Sequence, residues 1–216
     1  MRGCSRRSCD RDPRSVSAEI CTTRRAQCPS VPAPVRAIGF RVAPKTVTYA
    51  VVDGTADEAT VLVADEIPVP SALWPPNQLH FVRTVLLDVM EEYGVERAGL
   101  RLAEGVATPP PARMYLEGVL QELLASSGVT SYFAGNKARI AKFLGFGGDQ
   151  PRLTGMIEGT ISPAWSEGWA SYRDEQREAI LTAWAAIPRA AEEDSDDDTE
   201  PVELVADLAS KAGDAE

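Results

Sequence analysis

Val35-Arg36-Ala37-Ile38-Gly39-Phe40-Arg41-Val42 is followed by Thr46-Val47-Thr48-Tyr49-Ala50-Val51-Val52-Asp53 and then by Thr60-Val61-Leu62-Val63-Ala64-Asp65. The runs are short and rich in β-branched and aromatic residues, the composition of strands. Pro44 breaks the first from the second, and Asp53-Gly54 is a turn signal after the second. Three strands in about thirty residues with short links make an antiparallel meander. Ile67 to Pro76 carries four prolines and is expected to be extended loop.

Downstream the period changes. Leu79, Val82, Leu86, Val89 and Met90 recur at helical spacing after Asn77, an expected N-cap, and before Gly94, an expected stop. Arg97 to Glu104 is expected as a fourth strand. Three prolines at 109–111 precede a helix over 112–127, with Gly128 as its stop. Gly118 inside that helix suggests close helix–sheet packing. Val129 to Phe133 is expected as a fifth strand, Asn136 as the cap of a short helix over 137–144, and Gly145, Gly147 and Gly148 as its exit. Residues 149–168 read as irregular, and Tyr172 to Ile187 as a final helix. The order β-β-β-α-β-α-β-α, with one more helix, predicts an α/β domain. Its sheet is mixed and five-stranded, with helices on both faces.

Around this domain the chain changes character. The 216 residues are 44% hydrophobic with a net charge of −10. No apolar run approaches the length of a membrane span, so no membrane partner is expected. Residues 1–34 hold seven arginines, three acids and all four cysteines, Cys4, Cys9, Cys21 and Cys28. Those spacings are too loose for zinc half-sites, and no apolar run marks a signal peptide. The segment is expected to be a disordered basic leader and the protein cytoplasmic. A start at Val31 or Val35 would leave the domain unchanged. Residues 188–216 hold eleven acids, including Glu192-Glu193-Asp194-Ser195-Asp196-Asp197-Asp198, and are expected to be a disordered acidic tail. The tail reads as solubilising, or as an acidic mimic competing for a basic groove. The domain itself is placed at 35–187.

Several chemistries are disfavoured by residue type. His80 is the single histidine and lies on a helix with no nucleophile motif beside it, so it reads as a surface or partly packed residue. The glycines at 145, 147 and 148 lack the Lys-Ser/Thr and preceding strand of a phosphate loop. Trp74, Trp165 and Trp169 sit in Pro- or Gly-containing loops, where they would stack bases, mark an interface or pack. Packing is favoured for two of the three.

Ala37-Ile38-Gly39-Phe40 and Tyr49-Ala50-Val51-Val52 carry a resemblance to a known family. So do Val95-Glu96-Arg97-Ala98-Gly99-Leu100, Arg113-Met114-Tyr115-Leu116-Glu117-Gly118-Val119-Leu120, Lys137-Ala138-Arg139-Ile140-Ala141-Lys142 and the last helix. Together they resemble the ribonuclease H-like superfamily. Within it they are most similar to the RuvC-type Holliday junction resolvase branch and small uncharacterised families of the same fold. The resemblance implies carboxylates that hold two divalent ions, magnesium or manganese, for phosphodiester cleavage. It implies a first acid in strand one as G-x-D, where this chain has Gly39-Phe40-Arg41. It implies a second acid at the end of strand four, Glu104, with Arg101 as the other position that aligns. It implies last acids on the final helix, for which Glu175 and Glu178 have the spacing. Phosphate contacts are implied near Arg113, Lys137, Arg139 and Lys142.

A guanidinium cannot deprotonate and would repel dications. The favoured reading is therefore a catalytically degenerate module, with no cofactor, that binds DNA, RNA or a protein partner. In it Arg41 points into the cleft and pairs with Glu104 or Glu178. The alternative is a magnesium- or manganese-dependent nuclease with a relocated carboxylate set drawn from Asp53, Glu104, Glu175 and Glu178. A third reading is an assembly protein using the Trp loops, and a homodimer like that of the resolvases is a further expectation.

Overall fold

The computed structural model describes residues 33–103 and 110–189. All but two residues of the expected leader, all but two of the expected tail, and Glu104 lie outside them. The described chain forms β1 (Val35–Ala43), β2 (Thr46–Gly54), β3 (Ala59–Pro68), α1 (Pro75–Tyr93), β4 (Arg97–Arg101), α2 (Pro111–Ser126), β5 (Ser131–Gly135), α3 (Lys137–Phe143), α4 (Gln150–Ile157) and α5 (Asp174–Ala185). The sheet order is β3-β2-β1-β4-β5. β1 pairs antiparallel with β2 and β2 with β3, whereas β1, β4 and β5 run parallel. This is the mixed five-stranded α/β sheet expected from the sequence. No described helix is long and apolar enough to cross a membrane.

Alternation along the strands builds two unlike faces. Ile38, Phe40 and Val42 of β1 join Val47 and Val51 of β2 and Leu100 of β4 in a core closed by α1 and α2. Large side chains hold those helices off the sheet. The opposite face carries Ala37, Gly39, Ala50 and Gly99, and α5 lies directly on it through Ala179 and Ala183. A Cβ at Gly39 would stand 2.2 Å from the Ala179 carbonyl oxygen. One at Gly99 would stand 2.7 Å from the Thr182 carbonyl oxygen. Glycine at these two positions in neighbouring strands therefore sets the depth of α5. Gln176 Nε2 donates to the Ala64 carbonyl (2.9 Å) and ties the helix to β3 as well.

Several local expectations are corrected. β3 continues to Pro68, because Glu66 and Ile67 still find partners in Thr48 and Val47 of β2. α1 begins at Pro75 rather than after Asn77. Pro75 and Pro76 occupy the first turn, where a missing N–H costs nothing, and Trp74 is the N-cap. Gly94 does end α1 in the left-handed region (φ 58°). Gly128 is not the stop of α2, since Ser127 already leaves the helix in an extended conformation. β4 ends at Arg101, β5 runs from Ser131 to Gly135, and α5 is shorter at both ends than the stretch 172–187. Residues 149–168 are not wholly irregular. Asp149 Oδ1 accepts from Arg152 N (3.1 Å) and caps α4, whose Leu153 and Met156 enter the α5-side core. Asn136 caps α3 as expected, accepting from Arg139 N at 3.0 Å.

Gly118 is not a packing glycine, because a Cβ there meets nothing within 4 Å. Gly118→Ala should raise stability by about 1 kcal/mol, the helix-propensity difference. Gly39→Ala should lower it by about 1–3 kcal/mol through overpacking against α5. Urea unfolding of the two variants checks both signs.

Candidate functional site

The strand register lays one row of residues across the sheet. Glu66 of β3 faces Thr48 of β2, Thr48 faces Arg41 of β1, Arg41 faces Arg101 of β4, and Arg101 faces Gly135 of β5. Directly opposed residues share a face, and this row lies on the α5 side. It sits two residues beyond the Gly39–Gly99 pair, where β1, β4 and β5 end.

Because α5 is seated so closely, Glu178 reaches this row. Glu178 Oε2 accepts from Arg41 Nε at 2.6 Å, and Oε1 accepts from Arg101 Nε at 2.8 Å. The Glu178 side chain is only 8% exposed, Arg101 10% and Arg41 29%. Arg101 also donates to the Leu102 carbonyl, and Thr182 Oγ1 donates to the Glu178 carbonyl (2.7 Å). The expected pairing of Arg41 is thus made with Glu178. Arg173, just before α5, reaches Glu66 at 2.9 Å at the β3 end of the row.

The other candidate residues divide. Glu175 lies half-buried on the first turn of α5. Asp53 belongs to the opposite end of the sheet. It faces Arg36 at the start of β1 and lies 3.5 Å from it. Five residues along β1 separate Arg36 from Arg41, about 16 Å at strand rise. Asp53 therefore does not join a carboxylate set with Glu178. Among the described residues no three His, Cys, Asp or Glu side chains are grouped to hold a metal. With guanidinium groups on both oxygens of Glu178, the donor set described here does not fit a divalent ion.

Lys137, Arg139 and Lys142 follow β5 directly, so α3 carries them to the same end of the sheet. Lys137 is half-buried, and Arg139 and Lys142 are exposed. The Arg139 stem lies over Gly135, and its guanidinium sits 5.4 Å from the Phe143 ring centre. Among the described residues none of these three forms an ion pair. Arg113 is set apart on α2 in the other layer and is held by Glu117 at 2.7 Å. His80 is exposed on α1. Trp165 and Trp169 pack, with ring centres 6.2 Å apart, and Trp165 also meets Trp184 at 5.1 Å. Trp74 alone of the loop tryptophans is open, 79% exposed.

Sequence reading named Arg41 as a partner of Glu104 or Glu178, but named Arg101 only as the other position that aligns with the second acid. The signal was present as a repeat: Gly39-Phe40-Arg41 and Gly99-Leu100-Arg101 stand in register on neighbouring parallel strands.

No family model and no curated protein matches the chain. Solved structures do. RuvC of Thermus thermophilus superposes with a TM-score of 0.55 at 12% identity, over 70% of this chain and 92% of RuvC. RuvC of T. thermophilus in complex with a Holliday junction substrate gives 0.54 at 12% identity over the same shares. The yeast mitochondrial Holliday junction resolvase Ydc2 is a more distant neighbour, with a TM-score of 0.40 at 12% identity, over 72% of this chain and 79% of Ydc2. At 12% identity the likeness to RuvC shows a shared fold, a mixed five-stranded sheet with helices on both faces.

Breaking a buried ion pair from one side costs about 3–5 kcal/mol. Glu178→Ala should destabilise the domain by that order, and Arg41→Ala by less because Arg41 is more open to water. Arg41→Asp should lower the melting temperature by setting a second carboxylate against Glu178. A double-mutant cycle over Arg41 and Glu178 that showed no coupling would contradict the geometry.

Proposed function

We propose that this chain is a nucleic-acid-binding module of resolvase-like architecture that engages the phosphate backbone without metal-dependent cleavage. The observation that carries the reading is the engagement of Glu178 by both Arg41 and Arg101, at the place where the resemblance implies metal-binding acids. An arginine stays charged across the whole physiological range. The carboxylate is therefore held in ion pairs, and the sheet end keeps a cationic character. Lys137, Arg139 and Lys142 extend it along α3 without carboxylate partners among the described residues.

The neighbour T. thermophilus RuvC was solved with a Holliday junction substrate. That supports nucleic acid as the ligand class for a similar sheet end. A chain of net charge −10 repels nucleic acid at long range. Binding must come from a few local phosphate contacts and will weaken steeply with salt.

Fluorescence anisotropy with a labelled four-way junction and with duplex DNA tests this. Binding at low salt is expected, with affinity falling linearly in log–log against salt. Each of Lys137→Ala, Arg139→Ala and Lys142→Ala should reduce that slope by about 1. No strand should be cut in magnesium or manganese at about 10 mM, because metal-assisted cleavage needs a carboxylate set that the described residues do not assemble. Absence of binding at low salt would overturn the proposal. Cleavage lost in Glu178→Gln or Glu104→Gln would replace it with the nuclease reading.

A further inference from the structure

At the same end of the sheet, on the α1–α2 layer, the starts of the two helices leave an apolar groove of about 130 Å³. Pro44, Val69, Pro75, Leu79, Tyr115 and Leu116 form most of its walls. Among the described residues no acidic side chain lines it. Trp74 adjoins the groove at Pro75 and is 79% exposed, and Tyr115 in its wall is 59% exposed. Leu73 and Met114 beside them are also open to water. Single exposed apolar residues are ordinary, but this concentration of large ones is not.

The platform is held in place. Gln78 Nε2 donates to the carbonyls of Leu73 (2.9 Å) and Pro70 (3.1 Å), which fixes the turn that presents Trp74. Val69 N donates to the Lys45 carbonyl (2.8 Å), which joins that turn to the β1–β2 link. Lys45 is exposed beside Pro44 and pairs with no carboxylate among the described residues. Arg41 stands four residues earlier, two before the end of β1, on the opposite face of the sheet.

We infer that this groove, with Trp74 and Tyr115, is a stacking site for unpaired nucleobases, a deepening that rests on the nucleic-acid reading above. The charge pattern selects the occupant. The exposed cation of Lys45 beside the groove suits a phosphate backbone. The aromatic rings and the apolar walls formed by the described residues suit the flat faces of bases released from pairing. Base–aromatic stacking needs no particular base, so the site recognises single-stranded or branched stretches rather than a sequence.

The full chain, Trp74→Ala, Trp74→Phe and Tyr115→Ala would be titrated against a labelled single strand of about 12 nucleotides, within the span of one binding domain. The fully paired duplex of the same sequence is the comparison. Trp74 is exposed, so its variants should unfold at the native urea midpoint. Native protein should prefer the single strand, with quenched tryptophan emission. Trp74→Ala should weaken single-strand binding by roughly tenfold, the effect of one lost stack, and leave duplex binding unchanged. Trp74→Phe should retain most of the preference. Native binding to both probes with no change of preference in Trp74→Ala and Tyr115→Ala would overturn the stacking site and leave the nucleic-acid reading standing. Failure of native protein to bind either probe would overturn both. Sedimentation showing a dimer that Trp74→Ala dissociates would reassign the groove to a second copy of the chain and overturn the inference.

Discussion

Helix α5 rests on two missing side chains. Gly39 and Gly99 stand together in β1 and β4, and any Cβ at either would strike the α5 backbone. The helix therefore sits at backbone contact with the sheet, and Glu178 is carried down between Arg41 and Arg101 rather than out to water. Raised by even an ångström, the carboxylate would lose the short bonds of 2.6 and 2.8 Å that make its burial tolerable. Burying an ionised group is costly unless it is paired and hydrogen-bonded, and here the pairing follows from the packing. The two arginines in turn depend on the glycines two residues before them, since strand alternation puts all four on one face.

This makes the end of the sheet a place with two characters. On the α5 layer it is a row of fixed charge, from Arg173 and Glu66 through Arg41, Glu178 and Arg101 to the α3 cations. On the α1–α2 layer it is aromatic, and no acid among the described residues lines the groove there. A protein with an overall negative charge thus concentrates cations where the parallel strands end, as an open α/β sheet commonly concentrates its ligand contacts. Guanidinium cations, rather than a metal, hold the Glu178 carboxylate here. That is the physical contrast with a carboxylate cluster, which needs metal to be stable at close quarters.

Some features were legible because they are local. The three-strand meander was written in β-branched runs and breakers, and Asn136 in the capping preference of its side chain. Others were misread because a local rule had a rival. Asn77 looked like a cap, but Pro75 is better suited to a first turn. Residues 149–168 looked irregular because glycines crowd the approach, yet the Asp149 carboxylate is enough to start α4. Gly118 suggested tight packing, whereas its helix face is open to solvent. Asp53 belonged to the acid set only until the antiparallel register placed it at the far end.

By itself the sequence determined the strand and helix order, the mixed sheet and the oddity of an arginine at position 41, since these rest on period, propensity and residue chemistry along the chain. It also determined that Trp74 and Trp165 lie in loops, whereas Trp169 opens a short 3-10 turn, Trp169–Ser171. Only the tertiary structure decided which of them is open, that Arg101 shares Glu178 with Arg41, and that Asp53 stands apart. Those are distances between residues far apart in the chain, 137 positions for Arg41 and Glu178. Register and helix depth set them, and both depend on how the layers close on one another.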